Sequence, residues 1–393
     1  MDPRLNPYAP GAGTPPPELA GRDDLIERAA VALDRIAAGR SARSLILIGL
    51  RGVGKTVLLN RIREDAETRG LVSVKIEAPE ERSLPALLTP ALRGMLLRLD
   101  RGQAARAGAQ KAMRALAGFA RALKVKFQDI EFGLDIESEA GLADSGDLDT
   151  DLTDLLAAIG AAAAERGVAA ALFIDELQYV PEPQLAALIT ALHSASQARL
   201  PITMVAAGLP QLVGQTGRAK SYAERLFEFV PVDRLDDEAA RAALILPAKR
   251  EGVAFEPAAV EEILHQTLGY PYFLQEWGKH SWSVAAASPI RGEDARAATT
   301  QALAELDASF FRVRFDRLTP AEKRYMRAMA ELGGGPHRSG DIAEVLGRKV
   351  TAVAPVRNTL IAKGMLYSPS HGDTAFTVPL FDGFMKRIMP GLG

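Results

Sequence analysis

Short apolar runs and longer amphipathic segments alternate along residues 20–235. Leu45–Ile48 and Ala169–Ile174 are continuous apolar runs, whereas residues 23–38 repeat their apolar positions at helical spacing. The runs Leu71–Ile76, Ile202–Ala207 and Glu228–Val232 extend the series. Strands that alternate with helices in this way predict βαβ units, and therefore an α/β fold with a mostly parallel sheet covered by helices.

The apolar pattern becomes purely helical after about Asp236 and changes again near Leu318. The helical stretch up to residue 315 predicts an all-α lid. Beyond it, three helices are predicted at residues 319–332, 339–346 and 351–363, followed by two short strands around a loop that contains His371. Three helices followed by a β-wing are the order of a winged helix-turn-helix domain.

These changes divide the chain into four parts. They are a proline-rich extended arm at residues 1–20, an α/β core at 21–235, the lid at 236–315 and the winged helix unit at 316–393. An insertion at 102–150 adds to the core a basic helix, an alternating stretch at 125–137 that suggests two strands, and an acidic segment. The insertion is either a solvated helix face with a loop, or a surface that contacts a partner or nucleic acid.

Composition narrows the class of protein. The 393 residues are 48% apolar and 24% charged with a net charge of −2, so any basic surface must be local. The lack of cysteine excludes disulfides, thiolate metal sites and cysteine nucleophiles. The five histidines are scattered without metal-ligand spacing. No secretion signal and no run of about 20 apolar residues is evident, so we expect a cytoplasmic protein without a membrane segment.

The stretch GLRGVGKT, Gly49–Thr56, directly follows the first strand and opens a helix. Gly49 and Gly54 allow a loop whose N–H groups surround phosphate oxygens next to the positive end of that helix. Lys55 supplies a charge for the β- and γ-phosphates, and the Thr56 hydroxyl is a ligand for Mg²⁺. The predicted nucleotide-binding loop also includes Arg51, Gly52, Val53 and Val57.

Two acids end the apolar strand in the stretch ALFIDEL, residues 171–177. Asp175 is suited to the Mg²⁺ shell, and Glu176 is suited to polarise an attacking water as general base. Adjacent carboxylates at the end of a buried strand are costly unless a cation or a reaction uses them; a helix N-cap pair is the alternative. With the glycine-rich loop, the pair predicts binding of ATP or GTP with Mg²⁺, and hydrolysis that uses Glu176 and Lys55.

In these motifs and several others, the chain resembles the AAA+ ATPases, in the branch of archaeal replication initiators and STAND-like signalling ATPases. Glu18–Asp24, with Gly21 and Arg22, resembles the box beside the adenine, and Gly269-Tyr270-Pro271 resembles the GxP element of the lid. The C-terminal unit is similar to the winged helix of that branch. The resemblance implies an AAA+ core that binds ATP or ADP with Mg²⁺ and contacts nucleotide through Gly21, Arg22 and Pro271.

The chain departs from the family pattern in two places. The fourth strand ends in Met204–Gly208, where many AAA+ enzymes have a polar sensor-1 side chain, and Thr203 lies too early in the strand. Pro271 stands near the position of the sensor-2 arginine of replicative relatives. These differences point to slow hydrolysis and to a lid that responds to nucleotide through packing.

Arg225 and Arg51 are the two arginines with a candidate role in catalysis or assembly. The segment Ser221–Phe227 resembles the place where AAA+ proteins carry an arginine before the fifth strand, which makes Arg225 a candidate finger that acts in trans in a homo-oligomer. The alternative is a solvated residue paired with Glu224 or Glu228. Arg51 is placed to reach a phosphate or a neighbouring subunit.

The winged helix unit is more basic than the rest of the chain. Residues 316–393 hold 11 Lys and Arg against 7 Asp and Glu, a charge of +4 against −6 for the remainder. This predicts contact with double-stranded DNA, although winged helices also dock proteins. The candidate DNA-binding residues are Arg348, Lys349, Thr351, Arg357, Asn358 and Lys363.

Three functions fit this sequence. The first is a DNA-associated AAA+ ATPase that assembles or switches with its nucleotide. The second is a STAND-like regulatory switch with slow turnover, whose winged helix docks protein and not DNA. The third, a kinase for a small substrate, is disfavoured by the acidic pair, the helical lid and the appended winged helix.

Overall fold

The computed structural model describes residues 1–11, 13–79, 82–100, 106–124, 138–370 and 372–392. The stretch 125–137, for which the sequence suggests two strands, lies outside the described residues, as does His371. Within the described part of the chain, no helix combines the length and the apolar character needed to cross a bilayer.

The first part of the chain alternates strands and helices, as the hydrophobic pattern predicts. In order, the elements are α1 (Asp23–Ala37), β1 (Ser44–Ile48), α2 (Lys55–Thr68), β2 (Val72–Glu77), α3 (Leu84–Leu99), α4 (Arg106–Ala122), α5 (Leu148–Arg166), β3 (Ala170–Asp175), α6 (Glu182–Gln197), β4 (Ile202–Gly208), α7 (Leu212–Ala219), α8 (Ala223–Leu226) and β5 (Phe227–Pro231).

The five strands form one sheet in the order β2-β3-β4-β1-β5, and all four pairings are parallel. Side chains alternate between its faces: Leu172 and Ile174 pack with α3 to α6, whereas Phe173 packs with α1 and α2. The predicted α/β architecture with helices on both faces of a parallel sheet is therefore confirmed. Its consequence for function is that the carboxyl ends of β1, β3 and β4 lie together at one edge.

Helices then follow without a further strand until residue 337. They are α9 (Asp237–Arg250), α10 (Pro257–Thr267), α11 (Pro271–Val284), α12 (Gly292–Ala308), α13 (Phe310–Asp316) and α14 (Pro320–Leu332). The chain ends with β6 (His337–Arg338), α15 (Ser339–Val345), α16 (Val350–Ala362), β7 (Leu366–Tyr367), β8 (Asp373–Phe376) and α17 (Phe381–Ile388). The last three strands form an antiparallel sheet in the order β6-β8-β7.

The lid and the C-terminal unit share one hydrophobic core. Phe311 on α13 contacts both Phe381 and Phe384 on α17, with ring centroids 5.7 and 5.3 Å apart. The same core continues through Phe273 and Trp277 on α11. The position between residues 315 and 316, where the sequence pattern changes, therefore lies inside α13 and within a continuous packed core.

The proline-rich arm is held against the lid. The N-terminal ammonium donates to the carbonyl of Ala285 at 2.6 Å, and the Asn6 amide donates to Lys279 O at 3.0 Å. Tyr8 is buried and its hydroxyl donates to the Leu244 carbonyl. These contacts bind the arm along α9 and α11, and the arm then reaches the carboxyl edge of the sheet.

Candidate phosphate-binding site

The glycine-rich loop joins β1 to α2 at the carboxyl edge of the sheet. Gly52 and Gly54 have φ angles of 83° and 89°, a backbone region that other residues enter only with strain. A Cβ atom on Gly49 would lie 2.0 Å from the carbonyl oxygen of Val232, so no larger residue fits there. The loop is therefore built as the sequence predicts, with α2 starting at Lys55 and pointing its N-terminus into the cavity.

Lys55 lies inside this loop with its ammonium turned toward the backbone. Its Nζ donates to the carbonyls of Gly49 at 3.0 Å and Leu50 at 2.8 Å. Burial lowers its pKa to about 8, and the negative charge of Glu176 partly opposes that shift. An anion in the loop favours the charged form of Lys55, which gives binding of phosphate a direct electrostatic advantage.

Thr56 and Asp175, the two predicted Mg²⁺ ligands, are brought together by the sheet. The Thr56 hydroxyl lies beside the Asp175 carboxylate, which accepts a hydrogen bond at 2.9 Å from the Glu176 N–H. Burial raises the pKa of Asp175, while the Thr56 hydroxyl and the Lys75 ammonium, 3.9 Å away, act in the opposite direction. A hydroxyl and a carboxylate oxygen side by side form a hard donor set that fits Mg²⁺.

Glu176, the predicted general base, is held by neighbours in an unusual backbone conformation. Its φ is 53°, a value uncommon for a residue other than glycine. Arg51 Nη1 lies 3.8 Å from one carboxylate oxygen, and the Gln178 amide donates to the other. Arg51 also donates to the Tyr179 hydroxyl at 2.6 Å. The Arg51 guanidinium thus lies next to the carboxylate of the candidate base, Glu176.

The C-terminal unit contacts the same place. The Arg51 N–H donates to the carbonyl of Thr377 at 2.9 Å. Gly364 lies so close to the site that a Cβ atom on it would be 2.9 Å from the Tyr179 hydroxyl and 3.2 Å from Arg51 Nη2. The segment that follows α16 therefore packs directly on the phosphate loop and on the residues around Glu176.

Arg22 lines the side of the cavity predicted to face the adenine, and Gly21 precedes it in the chain. Arg22 Nη2 donates to the carbonyls of Val53, at 3.1 Å, and Asp233, which fixes the loop to the start of the lid. Gly21 packs against Ala239, and a Cβ atom on it would approach that side chain to 2.6 Å. Burial lowers the pKa of Arg22. Through these two hydrogen bonds, Arg22 holds the loop in place.

The cavity has a volume of about 390 Å³ and is closed by the arm, the phosphate loop and the lid. Pro271, predicted to contact nucleotide, lines the cavity, and the adjacent Tyr272 N–H donates to Gly52 O at 3.1 Å. Gly11 and Thr14 of the arm line the opposite wall. Val57 also lines the cavity, so all predicted residues of the nucleotide-binding loop from Arg51 onward line it.

Arg314 on α13 is a cavity residue that the sequence reasoning missed. Its guanidinium lies over the Phe310 ring, 4.0 Å from the centroid, and donates to the Phe310 carbonyl. Burial, and after it the positive charge of Arg51 nearby, lowers its pKa to about 10. No carboxylate forms an ion pair with it among the described residues, so its charge is available to an anion in the cavity. No sequence motif marks this position, because α13 reaches the site only through lid packing.

Gln178 supplies the polar group that the end of β4 lacks. Its side-chain oxygen accepts the Leu209 N–H at 3.0 Å, immediately after β4, while its amide contacts Glu176. Thr203 is buried at the opposite end of the strand, 3.3 Å from the Ser44 hydroxyl, and does not line the cavity. Gln178 could not be recognised from the sequence, because the polar residue was expected at the end of β4 and Gln178 follows β3.

Arg225 lies on α8, away from the cavity formed by its own chain. Glu228, a possible partner, instead has Arg28 and Arg43 at 3.5 and 3.6 Å. Arg225 is exposed and forms no ion pair within the described residues. Its side chain is therefore accessible to a neighbouring subunit.

The six candidate DNA-binding residues fall into two groups. Arg357 donates to the Thr374 hydroxyl at 2.7 Å and Lys363 to Glu322 at 2.8 Å, so both hold the C-terminal unit together. The other four are exposed on or just before α16: Arg348, Lys349, Thr351 and Asn358. The exposed basic footprint is accordingly smaller than the sequence suggests.

Comparison with known proteins matches two parts of the chain to protein families. Residues 18–205 match the family described as AAA ATPase domain, and residues 308–385 match a domain of unknown function (DUF8462). No curated protein sequence matches the chain.

Solved structures with a similar fold include a Walker-type ATPase of Pyrococcus abyssi, with a TM-score of 0.60, 16% identity, and coverage of 97% of this chain and 99% of that one. The Aeropyrum pernix ORC1 protein in complex with DNA has a TM-score of 0.48 at 15% identity, over 95% of this chain and 94% of that one. The Thermotoga maritima RuvB branch migration motor has a TM-score of 0.43 at 16% identity, over 94% and 95%. The chain therefore shares its fold with the Walker-type ATPase, and its residues 18–205 are similar to the AAA ATPase domain family.

Proposed function

We propose that the protein binds ATP and ADP with Mg²⁺ at the glycine-rich loop and hydrolyses ATP. The observation that carries this proposal is the meeting of Lys55, Thr56, Asp175 and Glu176 around one cavity. The loop N–H groups, Lys55 and Arg314 bind phosphate oxygens. Thr56 and Asp175 hold Mg²⁺, which screens the phosphate charge, and Glu176 orients and deprotonates the attacking water.

We further propose that hydrolysis is slow and that the enzyme is a nucleotide-dependent switch. The C-terminal unit contacts Arg51 through Thr377 and Gly364, and Arg51 in turn lies on Glu176. A base held by a guanidinium and an amide has to be released before it can activate water. Movement of the C-terminal unit and activity of Glu176 are thus coupled through a single residue, Arg51.

The test is nucleotide binding and turnover by the purified full chain, with fluorescent ATP and ADP analogues and phosphate release as readouts. Lys55→Ala is expected to weaken binding severely, whereas Glu176→Gln keeps binding and stops turnover. Lys249→Ala, on the exposed end of α9, is the matched lysine control. Turnover by Glu176→Gln at the wild-type rate would show that Glu176 is not the base.

A second role, contact with double-stranded DNA, is favoured by the exposed pair Arg348 and Lys349 at the start of α16. We infer that the C-terminal unit is a winged helix, because α14, α15 and α16 precede the antiparallel pair β7 and β8. The double variant Arg348→Ala with Lys349→Ala is expected to bind duplex DNA more weakly, and its affinity is expected to depend less on salt concentration. The double variant Lys249→Ala with Arg296→Ala removes two exposed charges from the lid instead. Duplex binding that is absent, or equal in both double variants, would leave a protein-docking role for this unit.

A further inference from the structure

Three potential metal ligands meet between two lid helices, at a place that the proposed function does not use. Glu276 and His280 are one helical turn apart on the same face of α11, and Glu305 comes from the neighbouring helix α12. His280 Nε2 lies 3.0 Å from Glu305 Oε2 and 3.8 Å from Glu276 Oε2. One ligand atom from each residue falls within 4.8 Å of the other two.

Two of these ligand atoms are buried without a hydrogen bond. The Glu276 side chain is only 5% exposed, and its Oε2 has no hydrogen-bond partner, although its Oε1 accepts from the Tyr272 hydroxyl at 3.0 Å. His280 Nε2 is likewise buried without a hydrogen bond, despite its closeness to Glu305. Buried polar atoms without partners are rare in proteins, because each forfeits its hydration. The two atoms lie 3.8 Å apart.

Two of the three separations between the ligand atoms are close to those around a tetrahedral divalent ion, and the third is within 4.8 Å. Zinc bonds to histidine nitrogen and carboxylate oxygen are roughly 2.0–2.2 Å, which puts neighbouring ligands about 3.3–3.6 Å apart. The separations of 3.0 and 3.8 Å from His280 Nε2 bracket that value. One imidazole with two carboxylates suits a first-row transition metal better than Mg²⁺ or Ca²⁺, which prefer oxygen alone.

Lys279 is the competitor for this position. Its ammonium lies 2.7 Å from Glu305 Oε1 and 3.9 Å from Glu276 Oε2, so it supplies part of the positive charge that the two carboxylates require. Its side chain is 33% exposed and can turn toward water when a metal ion enters. A structural ion-pair cluster is therefore the alternative to a metal site, and removal of Lys279 distinguishes the two.

We propose that Glu276, His280 and Glu305 form a binding site for one divalent transition-metal ion of the Zn²⁺ class, with water as the fourth ligand. The ion links α11 to α12 behind Tyr272, whose hydroxyl contacts Glu276 and whose backbone N–H contacts the phosphate loop. The site is independent of the Mg²⁺ position at Thr56 and Asp175 and of the proposed ATPase activity.

Zinc binding to the metal-stripped full chain tests this proposal, measured by competition with a chelating dye in excess Mg²⁺. The wild type is expected to bind one Zn²⁺ per chain, and Co²⁺ is expected to give the visible absorption of a four-coordinate site. His280→Ala and Glu305→Gln are expected to weaken binding at least tenfold. Lys279→Ala is expected to tighten it, because it removes the competing ammonium.

His265→Ala on α10 and Glu293→Gln on α12 are the matched controls, and both leave zinc affinity unchanged in this proposal. Glu305 is 45% exposed, so its variant remains informative even if a substitution at buried His280 prevents folding. Two results would overturn the metal site and identify an ion-pair cluster. The first is that the wild type binds no equivalent of Zn²⁺. The second is that Glu305→Gln and Lys279→Ala both bind Zn²⁺ with the affinity of the wild type.

Discussion

Arg51 in the phosphate loop donates its backbone N–H to the carbonyl of Thr377 near the end of the chain, at 2.9 Å. Its guanidinium meanwhile lies 3.8 Å from Glu176. One residue therefore contacts the C-terminal unit through its backbone and the candidate base through its side chain. A change in either contact has a short physical route to the other, which distinguishes this arrangement from a C-terminal domain that is merely tethered.

Gly364→Ala tests whether this docking restrains the site. The new methyl group would lie 2.9 Å from the Tyr179 hydroxyl, and the φ of +64° adds backbone strain. A loss of about 1 kcal/mol of docking energy corresponds to roughly a fivefold shift toward the undocked form. We therefore expect ADP release to be about fivefold faster, as measured with a fluorescent ADP analogue.

Gly347→Ala is the control for backbone strain. Its φ is +60°, but a Cβ atom there would meet nothing within 4 Å. The two variants thus share the strain and differ in the contact with Tyr179. Equal ADP release from both would mean that the docked segment does not restrain nucleotide exchange.

The pKa of Lys55 predicts how nucleotide affinity depends on pH. Burial lowers this pKa from 10.5 to about 8, and a bound triphosphate raises it again because it stabilises the ammonium. Binding above pH 8 therefore requires uptake of a proton, and affinity falls as the pH rises, by up to about tenfold per unit. Below pH 8 the lysine is already charged and contributes no slope.

ATP titrations across pH 7 to 9.5 measure this slope. Lys55→Arg provides the comparison, because a guanidinium stays charged throughout the range. Its affinity is expected to be lower than that of the wild type but level above pH 8. Parallel slopes for the two proteins would assign the pH dependence to another group.

Arg314→Gln is expected to weaken ATP binding about tenfold, close to 1.4 kcal/mol, because the bound phosphates lose a cation that forms no ion pair with a carboxylate among the described residues. Arg312→Gln is the control on the same helix, since Arg312 is exposed and pairs with Asp316 at 3.0 Å. Equilibrium titration with a fluorescent ATP analogue measures both. Wild-type affinity in Arg314→Gln would place its charge outside the phosphate site.

The sequence was sufficient for those parts of the site that are contiguous in the chain. The conformations of Gly49–Thr56 and of Asp175–Glu176 are each determined by residues that are adjacent in the chain. Both segments follow parallel strands, so the sheet places them at the same edge. Gln178 and Arg314 were missed, because their positions result from packing between elements far apart in sequence. The proline-rich arm was predicted to be extended, but its docking depends on Tyr8 finding a pocket among lid residues that no local pattern reveals.

Arg225 gives the sharpest test of assembly. A finger that acts in trans leaves Arg225→Ala subunits with an intact Glu176, and Glu176→Gln subunits with an intact finger. Each variant alone is expected to lose turnover, by about 10³-fold for the arginine where such a finger operates. Mixing the two variants is expected to restore activity at interfaces where an intact Glu176 of one subunit meets an intact Arg225 of the other.

Arg218→Ala is the control. Arg218 is an exposed neighbour that pairs with Glu182 at 3.3 Å, and its variant alone should turn over ATP at the wild-type rate. A mixture no more active than its components, or an Arg225→Ala protein with full activity, would show that Arg225 is a solvated surface residue.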